Sequence, residues 1–396
     1  MSSQNKILQG LAIPHTALIS VIFCLMVLSF PTGAYLVFNS EIGDDVTYEY
    51  PMDSLSIFLA GIGFEVPVKF ELGDGFVVIW CTYLILFTAA ILGPKKNFVA
   101  VLQSMISEGR YKIQDNYIVT VIKWFSILVI VSGSIISVQE FIGISVEQPE
   151  APNQLIQFFD ISLAPIIEEF GFRVVLIGLP LFTLYSHKSS FKFLVKSLWW
   201  PWQNLRNVNM KKVLLVIVIV GVLFGAAHIF SDEAWSTGKL AQAIASGIII
   251  GWVYFRYGLV PAVLIHWATN YFVFSYGYIV ADINQISIGD AFSHSLLSTL
   301  ELMLVVTGII SIAVLVLNYA HSKKHALNVR FNFFTEIWFS VLLQHECKIR
   351  LVINVKHHST NKCNRYIFSF SSCNVHLKCV TALIISCLHY VSRTSN

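Results

Sequence analysis

Charge is what this sequence has least of. Only 12% of its 396 residues are Asp, Glu, Lys or Arg, where a soluble domain carries about 25%. So few charges cannot cover a water-facing surface of ordinary size. The net charge is +3, too small to attract a polyanion, so nucleic acid is not an expected partner. Cysteine is scarce in the body of the chain: of seven, only Cys24 and Cys81 precede residue 340. Both lie in apolar runs, where small core residues are expected. No C-x-x-C pair occurs, which argues against a cysteine metal cluster or a dithiol redox centre. No secretory leader stands out either. The first apolar run is too long and lacks a small-residue cleavage pattern, so it reads as a retained helix.

Apolar residues fill the space that charge leaves. They make up 56% of the chain, and the mean hydropathy is +0.69. A helix needs about 20 apolar residues to cross the hydrocarbon core. Eight runs approach that length: residues 15–38, 76–93, 117–139, 153–185, 212–231, 239–257, 260–281 and 295–319. The expected fold class is all-α, a polytopic integral membrane bundle of about eight transmembrane helices with the lipid bilayer as its first partner. The run 54–68 is too short, and too broken by Gly, Glu65 and Pro67, to span. Pro165 and Pro180 can kink or split the long run at 153–185.

Loop charges orient the bundle. Positive residues near helix ends stay cytoplasmic. The first connection is acidic (Glu41, Asp44, Asp45, Glu49, Asp53, Glu65, Glu71, Asp74), and the second carries Lys95, Lys96, Arg110 and Lys112. The third holds Glu140, Glu147 and Glu150; the fourth holds Lys188, Lys192, Lys196, Arg206, Lys211 and Lys212 with no acid. The alternation continues through Asp232 and Glu233, Arg256, Asp282 and Asp290, to Lys323, Lys324 and Arg330. Both termini are therefore expected on the cytoplasmic side of a cell membrane.

The sequence divides into four regions. Residues 1–150 hold three helices and an acidic loop; 153–277 carry ionisable side chains inside apolar runs; 278–327 hold the last helix. Residues 328–396 form a polar tail with five cysteines and histidines such as His376, read as poorly ordered.

Charge inside a spanning helix is rare and usually functional. Glu168, Glu169 and Arg173 sit in the middle of LAPIIEEFGFRVVLIGLPLF. Each costs about 2.5–3.5 kcal/mol at a helix centre, so the three together cost roughly 7–10 before pairing. Glu169 and Arg173 are four apart with the acid first, the favoured order for a helical ion pair. Glu168 points about 100° away from Glu169 and is left without that cation. An unpaired carboxylate of this kind suits a general base acting on water. A purely structural pair explains Glu169 and Arg173 well but Glu168 poorly.

Two histidines occupy later apolar helices. His228 follows Phe224 by four residues, and His266 precedes Asn270 by four. A lone histidine on an apolar face is more often a satisfied core residue than a ligand. Two of them, with Asn270 and an acidic pair, change that balance. Imidazoles can bind a metal or hydrogen-bond a water, and Asn270 can orient His266 or donate to an oxyanion. Gly247 and Gly251 form G-x-x-x-G, which reads as helix contact. Phe170, Phe172, Trp267, Tyr271 and Phe272 read as packing or pocket lining.

Taken in order, E-E-x-x-x-R at Glu168–Arg173, F-x-x-x-H at Phe224–His228 and H-x-x-x-N at His266–Asn270 resemble the CAAX-protease and bacteriocin-processing family of intramembrane metalloproteases. That family includes the type II CAAX prenyl endopeptidases. The turn Tyr257-Gly258-Leu259-Val260-Pro261 is also similar, and the resemblance covers roughly residues 153–277. It implies that Glu168 activates the water while His228, His266 and Asn270 complete the catalytic set, with Glu169 and Arg173 supporting it. It also implies a divalent metal, zinc first, with His228 and His266 as ligands. The substrate would be a membrane-associated protein or peptide, such as a prenylated C-a-a-X tail.

Catalytic zinc takes three protein ligands and one open position, which makes it hard for Glu168 to be both ligand and base; a metal-free Glu168 base also stays open at this level. So do two other readings. One is a non-enzymatic scaffold or immunity protein of the same fold; the other is a proton-coupled transporter, against which stands the lack of an internal repeat. His228 is expected near the outer end of its helix and His266 nearer the inner end of its own. A common site therefore requires tilt or irregular backbone.

Overall fold

The computed structural model describes residues 3–109, 115–145, 153–230 and 237–320. The tail 328–396 lies outside them, as do Arg110, Lys112, Glu147, Glu150, Asp232, Glu233, Lys323 and Lys324 of the charge alternation. The chain divides into two units, Met1–Asn318 and Tyr319–Asn396; every helix of the bundle begins in the first.

Helix α1 runs over Ser3–Asn39, followed by strands β1 (Pro51–Leu59) and β2 (Ile62–Glu71). Then come α2 (Leu72–Leu92), α3 (Phe98–Glu108), α4 (Tyr117–Phe141) and α5 (Gln154–Glu168). The helix continues from α5 through a π-helical segment, Glu169–Gly178, into α6 (Leu179–Tyr185). Short helices α7 (Phe191–Trp199) and α8 (Pro201–Asn204) lead to α9 (Met210–Phe230) and α10 (Lys239–Tyr257). Helix α11 (Leu259–Trp267) passes through a second π-helical segment, Ala268–Phe272, into α12 (Val273–Asn284). After α13 (Ile288–Phe292) comes α14 over Ser295–Ala320.

The fold is an α-helical polytopic membrane bundle. Among the described residues, five helices are long and apolar enough to cross a membrane: Ile7–Asn39, Leu72–Leu92, Tyr117–Phe141, Met210–Phe230 and Ser295–Ala320. The other three apolar runs are also helical. Two of them, 153–185 and 260–281, are interrupted by the π-helical segments, and the third is α10. Pro165 does not split its run. It sits inside α5, and the wider turns begin four residues later. Cys24 and Cys81, expected in the core, both lie instead on the outside of the bundle.

Short polar residues fix the helix ends. Asn116 caps α4 by accepting from the Val119 N–H, while its amide donates to the carbonyls of Ala90, Ile91 and Lys96. One side chain thus satisfies an orphan donor and ties α4 to the end of α2. Asn153 caps α5 through Leu155 and Ile156 and donates to the Gly43 carbonyl. Gly258, at φ +98°, makes the sharp turn into α11; a Cβ there would lie 2.8 Å from the Trp199 carbonyl. A side chain at that position would meet both strain and a clash.

Helix α11 lies at the centre of the bundle, with every residue from Val260 to Trp267 buried. A helix apolar all round suits either lipid or a protein interior; this one is wrapped by protein, and its neighbours include α2, α4, α5 and α10. Tyrosine hydroxyls hold the surrounding helices at depth: Tyr83 donates to Ser162 O at 2.8 Å, Tyr271 to Ser29 O at 3.1 Å and Tyr278 to Gln157 Oε1 at 2.6 Å.

The run 54–68 falls in a β-hairpin, a departure from the otherwise helical reading. Leu59 pairs with Ile62 across a two-residue turn, with Ala60 at φ 55° and Gly61 at φ 85°. Two positive φ values in succession make the turn type whose twist matches paired strands.

Glycine sets the α9–α10 spacing. A Cβ on Gly247 would stand 3.0 Å from Gly221 Cα and 3.1 Å from Phe224 Cδ1, so the two backbones touch. Gly247→Leu is expected to lower stability by about 1–3 kcal/mol through overpacking, seen as a lower Tm in detergent. Val218→Leu, at an exposed position on α9, should leave Tm in place. Equal melting of the two variants would contradict this packing.

Candidate active site

Glu168 closes α5 and Glu169 opens the π-helical segment. π-Turns are frequent at functional sites, where the change of pitch re-aims side chains. Glu169 is fully buried, and its Oε2 lies 3.0 Å from Nε of the equally buried Arg173. The contact is ionic, its angle falling outside hydrogen-bond geometry. The guanidinium is also stacked over Phe224, with Cζ 4.5 Å from the ring centroid. Ion pair and cation–π contact together accommodate a cation that lies far from water.

The second Glu169 oxygen reaches across the bundle. Oε1 lies 2.8 Å from Nδ1 of His266, 97 residues away in sequence. A carboxylate accepts, so Nδ1–H donates, and a neutral ring then carries its lone pair on Nε2. That Nε2 faces Glu168 Oε2 at 3.8 Å. The Glu168 side chain is 21% exposed against 6% for His266, and its Oε2 makes no hydrogen bond among the described residues. One acid is thus locked by a cation and an imidazole, while its neighbour faces the same imidazole with an unengaged oxygen.

His228, in the last turns of α9, joins through Phe224. Its Nδ1 is 2.9 Å from the Phe224 carbonyl and donates to it, which leaves Nε2 available. The Phe224 ring lies 4.7 Å from the His228 ring, 5.8 Å from His266 and 5.0 Å from Phe172. Phe224, one helical turn before His228 on α9, therefore contacts both imidazoles.

Asn270 lies in the second π-helical segment. Its Oδ1 accepts from Thr269 Oγ1 at 3.2 Å, and among the described residues it makes no hydrogen bond to His266. The expected aromatics divide: Phe172, Trp267, Tyr271 and Phe272 are buried, but Phe170 is 52% exposed and lines no interior pocket. The Gly247 and Gly251 positions make helix contacts, as their spacing suggests.

Lys239, which sequence reasoning passed over, opens α10 within electrostatic reach of Glu168 and His228. It opens the apolar run 239–257 and carries no motif. The only available signal was its position eleven residues after His228, across the α9–α10 connection.

The donor set can be compared with the zinc centre that the sequence motifs imply. Two imidazole Nε2 atoms and one Glu168 oxygen are free to point at a common ligand. Among the described residues, however, no group of three or more His, Cys, Asp or Glu side chains comes together closely enough to hold an ion. A three-ligand catalytic zinc site does not fit these side chains as they stand.

The Glu169 cluster makes a stability prediction. Arg173→Met leaves a buried carboxylate without its cation and should cost about 3–5 kcal/mol. Glu169→Gln combined with Arg173→Met removes both charges and should recover most of that loss. Thermal unfolding of the two variants in detergent checks this. A double variant no more stable than Arg173→Met alone would contradict the coupling.

Residues 152–272 match the family model described as Rce1-like, type II CAAX prenyl endopeptidase Rce1-like. No curated protein and no solved structure matches the chain. The matched residues contain all three motifs, from Glu168 through Asn270. The segment that builds this site is therefore a domain of the CAAX-protease-like family, carried in a polytopic helical membrane protein.

Proposed function

We propose that this protein is an intramembrane endopeptidase in which Glu168 activates the water that attacks a peptide carbonyl. The observation that carries this reading is the unequal state of two adjacent acids. Glu169 is held by Arg173 and His266, while Glu168 is part-exposed and faces the His266 Nε2. A water beside Glu168 gives one proton to the carboxylate and its other hydrogen bond to an imidazole Nε2. The water oxygen bonds to the scissile carbon, and negative charge develops on the carbonyl oxygen. Asn270, whose own oxygen is held by Thr269, offers its amide N–H to that charge, and Lys239 supports it at longer range. When the C–N bond breaks, Glu168 returns its proton to the leaving amine. Water, proton and amine balance without any further reactant. With both hydrogens of the water used, His228 lines the site and keeps its Nε2 available to the substrate. No step is assigned to a metal.

The substrate is proposed to be a membrane-associated protein or peptide, with prenylated C-a-a-X tails as the first class to test. The charge alternation supports placing both termini in the cytoplasm.

The test uses purified protein in liposomes with farnesylated and unmodified C-a-a-X peptides. Wild type is expected to release the tail, and Glu168→Gln to lower the rate by about 10²-fold or more at unchanged Tm. Full activity in Glu168→Gln would refute the assignment. Ion flux that depends on Glu168, without cleavage, would favour the transport reading instead. Zinc content and chelator sensitivity, measured on the same preparation, decide the metal independently.

A further inference from the structure

One wall of this site comes from outside the motif-bearing segment. At Gly171, three residues after Glu168, a Cβ would lie 2.6 Å from the Ala60 backbone nitrogen and 3.2 Å from Leu59 Cδ1. The hairpin turn therefore rests directly on the π-helical segment, and only glycine permits the approach. On its other side, a Cβ on Gly61 would lie 3.5 Å from Ala227 Cβ. Ala227 immediately precedes His228. The turn thus bridges the helix of Glu168 and the end of α9. Gly171 lies three residues past Glu168 along that helix, so the turn meets it within one helical turn of the acid, and Ala227 brings it beside His228. None of the hairpin, residues 51–71, falls within the matched segment 152–272.

A tight turn wedged between two site-bearing helices limits the space available to a bound chain. Its backbone is fixed in shape, with two successive left-handed residues, and Leu59 is the apolar side chain it brings against the π-helical segment. A long substrate passing Glu168 has to run past these atoms. We propose that the turn Leu59–Ile62 is the specificity wall of the site, against which the substrate residue next to the scissile bond packs. This inference rests on the endopeptidase reading. Leu59 acts through shape and touches no reacting atom in the mechanism, so its substitution is expected to change which residue is accepted while the chemistry continues.

The experiment measures kcat/KM in liposomes for a peptide series that varies in size on either side of the cleaved bond. Leu59→Ala is expected to raise kcat/KM for a bulky residue relative to a small one by about 10-fold, the scale of a hydrophobic pocket contact. Leu59→Trp should shift the preference the other way, and Leu59→Met should stay near wild type. A uniform rise or fall across all peptides is what a merely structural role gives, and would overturn the proposal.

The pair Gly61→Cys and Ala227→Cys separates a fixed wall from a moving cover. Its Cβ separation falls within the disulfide range of about 3.5–4.5 Å. A fixed wall predicts that the oxidised double variant keeps the cleavage rate and preference of its reduced form. Activity lost on oxidation and regained on reduction would overturn the wall in favour of a lid. If Leu59 variants leave preference unchanged while wild type still cleaves in a Glu168-dependent way, only the hairpin inference fails. If wild type cleaves nothing in that way, the endopeptidase reading fails and takes the hairpin inference with it.

Discussion

A buried carboxylate with two partners holds the site together. Glu169 meets Arg173 through one oxygen and His266 through the other, at 3.0 and 2.8 Å. In a low-dielectric interior an isolated carboxylate or guanidinium is very costly. The cluster is stable only while the helices that supply it stay in register. The same contact orients the imidazole: Nδ1 donates to Glu169, and Nε2 faces Glu168. Folding energetics and site chemistry therefore rest on one side chain, which is why the supporting acid lies deeper than the one proposed to react.

Two features of the backbone allow this arrangement. The π-helical stretches Glu169–Gly178 and Ala268–Phe272 change the pitch where the motif residues lie. The Phe224 ring fills the space between Arg173, His228 and His266. Phe224 can stand there because Gly247 brings α10 against α9 at that level. A close helix–helix contact with no charge of its own thus sets the distance between charged groups on other helices.

The helical part of the fold was legible in the sequence because each run announces itself by length and lack of charge. The Glu169–Arg173 contact was legible because four-residue spacing places two side chains together on a helix. The glycine contact at Gly247 was legible for the same kind of local reason. The His266–Glu169 bond was not, since nothing in spacing along one helix describes a contact across the bundle. Nor were the π-helical turns, which leave no periodic mark in segments that are apolar on all sides. The hairpin was read only as a broken apolar run. Its turn is Ala60-Gly61 in place of the Asn-Gly or Asp-Gly that usually signals such a turn. Phe170 was grouped with the interior aromatics, yet it projects outward from the helix whose opposite side holds Arg173.

Glu168 as the reacting base is tested most plainly by comparing peptide termini, by mass spectrometry, in membranes holding wild type or Glu168→Ala at matched levels. New termini are expected in the wild-type membranes alone, clustered at bonds in membrane-associated proteins. Identical termini in the two membranes, with prenylated C-a-a-X peptides left whole by both, would contradict a proteolytic Glu168.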